Sequence, residues 1–261
     1  MTAAAHWRAA LAEWAIPQEI LDGADSAPWA LPTEVFARRT DRQVEHPIGP
    51  SYARAVRVLD QPGSVLDVGA GAGAASLPLA RRATELIAVD ENDRMLAAFS
   101  ARAPEAQVVS GRWPDVAPKT PVADLVVCHH VFYNVPDLAD FALALTDHAR
   151  RRVVVELTGR HPLAVLNPYW ERLHGLARPT GPTAADAVAV LREAGLAPRT
   201  QRWLRPAISE YATFDELVEA TRRRLCLPAA RRDELVALMR EERADQPPPR
   251  QLTTVWWEPP A

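Results

Sequence analysis

The sequence predicts an α/β fold built around a parallel, doubly wound sheet, and three observations support this. Short apolar runs alternate with amphipathic segments along most of the chain. One of these runs ends directly in a glycine-rich segment at residues 69–73. The 261 residues are 48% hydrophobic and 24% charged, which is ordinary for a globular protein. Buried strands that alternate with helices are typical of βαβ units and of a parallel sheet.

Seven strands and seven intervening or following helices account for most of the chain after residue 61. The predicted strands are 65–68, 86–89, 106–110, 124–128, 153–157, 199–204 and 252–257. The predicted helices are 74–82, 93–101, 138–150, 162–174, 183–194, 214–225 and 230–243. Thr183 and Asp186 resemble a capping box at the start of one helix, and Gly195 is placed to end it.

The first 60 residues contain no strand pattern and are predicted to form an N-terminal helical cap over 1–60, with helices at 3–14, 34–42 and 52–59. The second predicted domain covers residues 61–261. Within it, we expect helical insertions at 162–182 and 208–250.

Charge and composition exclude several classes of protein. The chain has 33 acidic and 30 basic residues, for a formal net charge of -3, whereas bulk polyanion binders carry a basic excess. Arg150–Arg152 and Arg222–Arg224 are therefore predicted to be solvated faces or helix-end charges, with nucleic-acid contact as the minority alternative.

Compartment and partners follow from the absence of other signals. Cys128 and Cys226 are too few for a disulfide framework, which favours free thiols in a reducing compartment. No apolar run is long enough to cross a bilayer, and the N-terminus lacks the pattern of a signal peptide. We therefore expect a cytoplasmic protein without a membrane partner, and the oligomeric state cannot be inferred.

The most informative segment joins the first predicted strand to the glycine-rich loop. Asp67 lies near the end of the strand, and Gly69, Gly71 and Gly73 follow at alternate positions. Glycines allow a tight turn and let a ligand approach the backbone closely. A helix N-terminus directly after the loop would add unpaired N–H groups. This arrangement predicts a nucleotide-type ligand at the carboxyl edge of the sheet.

Two ligand classes fit this segment. Gly69, Gly71 and Ala74 match the G-x-G-x-x-A pattern of dinucleotide-binding proteins, while Asp67 with the three glycines matches D-x-G-x-G-x-G. A carboxylate at Asp67 would repel a pyrophosphate, but it suits a ligand with an ammonium group, such as the methionine portion of S-adenosylmethionine. Asp90 ends the second strand and can accept hydrogen bonds from ribose hydroxyls in either case.

On these residues the sequence resembles the class I S-adenosylmethionine-dependent methyltransferases, over about residues 51–204 and 252–257. The segments that carry the resemblance are Asp67–Gly73, Asp90 with Glu91, Gly111–Trp113 and Asp124–His130. The resemblance implies a Rossmann-like, doubly wound sheet of seven strands, mostly parallel with an antiparallel last strand.

The resemblance also implies S-adenosylmethionine as the cofactor and assigns its contacts. Asp67 would bind the methionine end, Asp90 would bind the ribose hydroxyls, and the backbone of Gly69–Gly71 would approach both. The residues implied to border the adenine are Glu91, Asn92 and Met95 on one side, and Gly111, Arg112 and Trp113 on the other. The remaining implied cofactor contacts are Ala70, Gly73 and Cys128. Many members of the family carry Asp where Arg112 stands, so the adenine amino group needs another acceptor here.

His129 and His130 are the candidate general bases, because a neutral imidazole can take a proton from a hydroxyl or ammonium group. Adjacent strand residues face opposite sides, so we expect at most one histidine to face the site directly, unless the chain has already turned there. Tyr133 is a third catalytic candidate. Three consecutive residues such as Cys128–His130 cannot easily converge on one ion, so no metal site is predicted.

Aromatic and histidine side chains elsewhere are weaker candidates. His46 and Tyr52 precede the glycine loop and are placed to close over the cofactor, with helix packing as the alternative. Tyr169 and Trp170 follow the fifth strand and are candidates for a substrate wall, with core packing as the alternative.

The predicted function is in-line methyl transfer from S-adenosylmethionine to oxygen or nitrogen of a small-molecule acceptor. The alternatives are an NAD(P)-dependent oxidoreductase and a non-catalytic module that binds S-adenosylmethionine. The fourth strand ends in Cys-His-His-Val over residues 128–131, not in the Asn/Asp-Pro-Pro-Tyr run of enzymes that methylate adenine N6 or glutamine. The acceptor itself cannot be inferred from the sequence.

Overall fold

The computed structural model describes residues 1–28 and 33–260. Each of the seven predicted strands is present, most of them longer than predicted. The strands are β1 Gly63–Val68, β2 Ala83–Asp90, β3 Gln107–Ser110, β4 Ala123–His129, β5 Ala149–Thr158, β6 Arg199–Arg205 and β7 Arg250–Trp257. The apolar runs therefore identified the sheet correctly.

Helices flank the sheet on both sides. They are α1 Ala3–Ala12, α2 Gln18–Asp22, α3 Thr33–Glu45, α4 Pro50–Val58, α5 Asp93–Ser100, α6 Leu138–Asp147, α7 Asn167–His174, α8 Ala184–Glu193, α9 Phe214–Arg224 and α10 Arg232–Glu241. The predicted capping box is confirmed, since Thr183 and Asp186 bond each other's backbone N–H at the start of α8.

The strand order is β3-β2-β1-β4-β5-β7-β6. The first five strands in this order are parallel, and β7 runs antiparallel between β5 and β6. The predicted fold class is thus confirmed. Connections leave β1 and β4 in opposite directions across the sheet, which opens a crevice at their carboxyl ends. The glycine loop and the two histidines both lie at this crevice.

The prediction of a helix over residues 74–82 is wrong. This segment forms turns, with a single 3-10 turn at Leu77–Leu79. The Leu77 N–H donates to the Gly73 carbonyl at 3.0 Å, but Pro78 has no N–H to continue the helical ladder. No regular helix therefore begins at the glycine loop, and the expected helix N-terminus is not available to a ligand.

Two hydrophobic layers cover the sheet. On one side Trp7 of α1 is fully buried beside side chains of α6 and α8, and its indole N–H donates to the Val135 carbonyl at 2.8 Å. On the other side Ala55 of α4 and Leu79 pack with Trp256 of β7. The N-terminal helices α1 and α4 therefore belong to the same core as the sheet.

A separate hydrophobic cluster joins α7, α9 and α10. Trp170, Val218 and Leu235 are buried there, and Ile20 and Leu21 of α2 pack against them. Both predicted insertions thus pack on each other and on α2. The division of the chain at residue 60 stays a prediction, because α1, α2 and α4 each pack against a different part of the molecule.

Charged and thiol residues outside the site follow the predictions in part. Arg222 is only 8% exposed and pairs with Asp25 at 3.1 Å, so it does not lie on a solvated face; it lies in the last turn of α9, which is the helix-end alternative. Cys128 and Cys226 are both buried free thiols, as expected. Within residues 1–28 and 33–260, no helix is both long and apolar enough to span a bilayer.

Candidate active site

A cavity of about 700 Å³ opens at the carboxyl edge of β1, β2, β4 and β5, with α3 and α4 contributing to its wall. Its two ends differ in composition. We call the first the glycine-loop end; it includes Gly69, Ala70, Gly71, Asp90, Glu91, Asn92, Met95, Gly111, Arg112 and Trp113. We call the second the histidine end; it includes Arg39, Thr40, Ser51, Tyr52, His129, His130, Glu156 and Arg205.

The three glycines of the loop have different roles. Gly71 has φ +53°, and a Cβ placed on it would meet no atom within 4 Å, so its backbone faces the open cavity. A Cβ on Gly69 would lie 2.3 Å from Val131, and one on Gly73 would lie 2.6 Å from Leu77. Gly69 and Gly73 are therefore required for close packing, whereas Gly71 supplies the backbone surface that a ligand can approach.

Asp90 is held rigidly at the end of β2. Its Oδ2 accepts a hydrogen bond from the Gly71 N–H at 2.8 Å, and its Oδ1 accepts one from the Asn92 N–H at 2.9 Å. The Asn92 side chain in turn caps α5 by accepting from the Arg94 N–H at 3.1 Å. Each carboxylate oxygen can accept a second hydrogen bond, so Asp90 can still bind ribose hydroxyls.

Asp67 lies beneath the glycine loop and does not line the cavity. Its Oδ2 accepts from the Ser76 hydroxyl at 2.6 Å, while its Oδ1 has no hydrogen-bond partner among the described residues. Burial raises the pKa of Asp67 to about 7, and the nearby charge of Asp90 acts in the same direction. Contact between Asp67 and the methionine end therefore stays a prediction.

Three other predicted site residues also lie away from the cavity surface. Gly73 packs against Leu77, and Cys128 is fully buried in β4, where burial raises the pKa of its thiol. The Tyr133 hydroxyl donates to the Thr158 carbonyl at 2.7 Å, and burial raises its pKa. The geometry does not support a direct catalytic contact for Tyr133, because its hydroxyl is already engaged inside the core.

Both histidines line the cavity, which is the alternative expected if the chain turns at this point. The reason is a turn at His130, whose φ of +62° lies in the left-handed region that few residues other than glycine adopt. The His130 N–H donates to the Glu156 carbonyl at 2.7 Å, which anchors this turn. A strained backbone of this kind is found preferentially at functional sites.

Glu156 is the central residue that sequence reasoning missed. It is 2% exposed and lies directly beside His129 in the β4–β5 ladder. Its Oε1 lies 3.2 Å from His130 Nε2 and 2.9 Å from Arg205 Nη2, and its Oε2 accepts from the Ser51 hydroxyl at 2.7 Å. The available signal was a single charged residue inside an apolar strand, which requires a buried partner.

The electrostatics of the histidine end keep both imidazoles neutral at pH 7. Burial lowers the pKa of His129 to about 4, against the opposing effect of Glu156. Burial and the positive charge of Arg39 also lower the pKa of His130. Burial alone would raise the pKa of Glu156, but its contact with His130 and the positive charge of Arg205 hold it well below its usual range. An ionised carboxylate therefore faces a neutral imidazole.

Of the weaker candidates, one lines the cavity and the others do not. Tyr52 lines the cavity, as one of the two alternatives predicted, whereas His46 does not. Tyr169 and Trp170 pack in the cluster formed by α7, α9 and α10, away from the cavity. Core packing is therefore the correct alternative for both.

Comparison with protein families gives a direct assignment. Residues 66–151 match the family model described as a methyltransferase domain. The chain contains a methyltransferase domain. This class I domain uses S-adenosylmethionine as the methyl donor, so the predicted enzyme class and cofactor are confirmed. The match also favours S-adenosylmethionine over the dinucleotide alternative.

Solved structures show the same fold at low sequence identity. The YcgJ protein from Bacillus subtilis is 17% identical with a TM-score of 0.54, and the alignment covers 81% of this chain and 98% of that one. A cyclopropane-fatty-acyl-phospholipid synthase-like protein from Lactobacillus casei is 15% identical with a TM-score of 0.55, covering 92% and 98%.

A third similar structure contains a product of methyl transfer. Magnesium protoporphyrin IX methyltransferase from Synechocystis, with bound S-adenosylhomocysteine, is 14% identical with a TM-score of 0.51, covering 85% of this chain and 83% of that one. Among proteins of curated function, a sequence comparison finds no match. The similarities therefore establish the fold, and the acceptor has to be argued from the site.

Proposed function

We propose that this protein transfers a methyl group from S-adenosylmethionine to an oxygen or nitrogen atom of a small-molecule acceptor, with His130 as the general base. The observation that carries the proposal is the contact of 3.2 Å between His130 Nε2 and Glu156 Oε1. Both residues line the same cavity as the glycine loop. A cavity of about 700 Å³ that must also hold the cofactor favours a small acceptor.

The glycine-loop end fits the cofactor. The Gly71 backbone offers open space where a side chain would intrude, and Asp90 retains acceptor capacity for the ribose hydroxyls. Met95 offers an adaptable apolar surface for the adenine, opposite Trp113. These contacts come from residues that the backbone and the loop hydrogen bonds already hold in place.

Asp115 supplies the acid that the position of Arg112 lacks. It lies three residues further along the chain and lines the same cavity. A carboxylate can accept a hydrogen bond from the adenine amino group, whereas a guanidinium cannot. We therefore assign that contact to Asp115, which sequence reasoning overlooked because it lies past the position where the family carries its acid.

Bound S-adenosylmethionine would supply the methyl group: the acceptor lone pair would form the new bond to carbon, and the electron pair of the C–S bond would remain on sulfur. An ammonium acceptor has to lose its proton before this bond forms, because only the free amine has a lone pair, and a hydroxyl loses its proton as the bond forms. His130 Nε2 faces Glu156, which leaves Nδ1 for the acceptor proton. Glu156 then stabilises the imidazolium that forms, as a carboxylate partner does in other His-based sites. The proton passes finally to solvent.

The compartment proposed for this activity is the cytoplasm. The supporting observation is that both cysteines are buried free thiols, which persist where the environment is reducing.

A titration and a transfer assay test the proposal. We expect S-adenosylmethionine and S-adenosylhomocysteine to bind the purified chain in isothermal titration, and NADH not to bind. We also expect label from methyl-tritiated S-adenosylmethionine to reach members of a panel of small hydroxy and amino compounds. Absence of S-adenosylmethionine binding at millimolar concentration would contradict the proposal; binding without transfer would favour a non-catalytic module.

A further inference from the structure

The histidine end of the cavity carries more hydrogen-bond donors than the protein itself satisfies. Five fully buried side-chain atoms of cavity-lining residues have no well-aligned hydrogen-bond partner among the described residues: Arg39 Nε, Thr40 Oγ1, His129 Nε2, His130 Nε2 and Arg205 Nε. Buried polar groups are normally paired, and each exception calls for an explanation. Their concentration at one end of a cavity points to a bound group that accepts hydrogen bonds.

Arg39 is the clearest of these groups. Its side chain is only 18% exposed, yet its guanidinium donates no hydrogen bond to a described residue. The nearest acid, Glu210, lies 3.8 Å from Arg39 Nε, beyond hydrogen-bond distance. A guanidinium has five donors and no acceptor, so only an acceptor group such as a carboxylate or phosphate can satisfy it.

The charges nearby favour a monoanion. Arg39, Arg205 and Arg250 contribute three positive charges, while Glu156 and Glu210 contribute two negative ones, and the histidines are neutral at pH 7. Glu156 is already engaged by Ser51, His130 and Arg205, so it does not satisfy Arg39. A singly charged carboxylate suits this balance better than a doubly charged phosphate, which both acids would repel.

We infer that the methyl acceptor is a small hydroxy- or amino-carboxylic acid whose carboxylate is bound at the histidine end by Arg39, with Arg205 beside it. This inference rests on the proposed methyltransferase function and adds the class of acceptor. It places the carboxylate and the proton-accepting His130 at the same end of the cavity, so the methylated atom and the anionic group belong to one compact molecule.

Arg39 is the residue to change, because Arg205 also balances the buried Glu156 and its loss would leave that charge unpaired. Arg39→Gln removes the positive charge and the planar guanidinium, which can donate two parallel hydrogen bonds to a carboxylate. Arg39→Lys retains the charge but not this arrangement of donors. Arg42→Gln is the matched control: it lies on the same helix, one turn later, does not line the cavity, and donates to the Ser209 carbonyl on the surface.

The experiment uses the full chain saturated with S-adenosylhomocysteine and isothermal titration with salicylate, lactate and alanine, each paired with its neutral carboxamide, and with inorganic phosphate. We expect at least one acid to bind at least tenfold more tightly than its amide. Arg39→Gln should abolish that preference, Arg39→Lys should restore part of it, and Arg42→Gln should retain it. Binding of S-adenosylhomocysteine should be unchanged in all three variants.

Several results would overturn the inference: no acid binds the saturated wild-type protein at millimolar concentration, an amide binds as well as its acid, phosphate binds in preference to every acid, or Arg39→Gln keeps the preference. In each of these cases normal binding of S-adenosylhomocysteine would leave the proposed methyltransferase function standing. Loss of that binding in the wild-type protein would instead contradict the proposed function itself.

Discussion

The two ends of the cavity are built on different principles. At the glycine-loop end, the polar groups satisfy one another through nearby backbone: Asp90 is bonded by Gly71 and Asn92, all within a short stretch of chain. At the histidine end, Arg39, Glu156 and Arg205 come from three distant elements, and several donors stay unpaired. The surface proposed for the cofactor is thus formed largely by loop backbone, whereas the surface proposed for the acceptor is formed by side chains that tertiary packing brings together.

We expect the largest effect from His130→Asn, which should lower turnover at the histidine end without changing cofactor binding at the glycine-loop end. Asn tolerates the left-handed backbone at this position but cannot take a proton at neutral pH. Loss of a general base typically costs about 10²–10⁴-fold in rate, so kcat should fall within that range. The affinity for S-adenosylmethionine should remain unchanged, as measured by titration.

His46→Asn is the control for this change, since His46 is exposed and does not line the cavity. It should leave both kcat and cofactor affinity as in the wild type. If His130→Asn lowers the affinity for S-adenosylmethionine and leaves kcat unchanged, the histidine end contributes to cofactor binding and not to proton transfer, which contradicts the prediction.

Asp90→Ala should produce the next largest effect, at the opposite end. It removes a charged acceptor for the ribose hydroxyls, and hydrogen bonds to charged groups contribute about 1.5–3 kcal/mol each. We expect the dissociation constant of S-adenosylmethionine to rise roughly 100-fold, a change of about 2.7 kcal/mol. Asp93→Ala, which loses only a bond from Ser110, should change that constant little. Equal effects of the two substitutions would contradict the role given to Asp90.

Asp67→Asn tests the buried support beneath the glycine loop through its pH dependence. The pKa of Asp67 is raised in the folded state to about 7, from an ordinary value of 3.8. The folded state therefore binds the proton more tightly than the unfolded state, so its contribution to stability is complete below about pH 4 and is lost as the pH rises towards 7. The variant lacks this loss.

The measurement is urea unfolding of the wild type and Asp67→Asn without ligand, between pH 5 and pH 8. We expect Asp67→Asn to gain roughly 2 kcal/mol in stability relative to the wild type over that range. This is about half of the value obtained by applying 1.36 kcal/mol per pKa unit to the whole shift of Asp67 from 3.8 to about 7. Parallel stability curves for the two proteins would mean that Asp67 titrates normally and is not desolvated in the way the structure indicates.

Gly71→Ala should produce the smallest effect on the fold while still obstructing the ligand surface. The new methyl group meets no atom within 4 Å, so only the positive φ opposes it, at about 1 kcal/mol. Gly73→Ala should cost more, because its methyl group would lie 2.6 Å from Leu77. Thermal unfolding ranks the two, and the opposite ranking would contradict the distinct roles assigned to these glycines.

The local features of the fold were predictable from residue order. The seven strands and the capping box at Thr183 depend on neighbours a few positions away, and hydrophobic periodicity and turn chemistry report such neighbours. Gly71 of the glycine loop and Asp90 are 19 positions apart, and each was identified from its place at the end of a strand. The exception is the segment 74–82, where helical periodicity was misleading because Pro78 interrupts the ladder and Ser76 bonds Asp67 instead.

The histidine end was beyond local inference. Glu156, Arg39 and Arg205 have no motif in common and meet only because β5 pairs with β4 and β7 while α3 lies across the cavity. The left-handed turn at His130 depends on its bond to Glu156, which belongs to a neighbouring strand. Residue order thus indicated the surface proposed for the cofactor, because the glycine loop and the ends of neighbouring strands form that surface. Only the tertiary fold decided which groups face the proposed acceptor, because charged side chains from distant segments must be brought together before they can bind it.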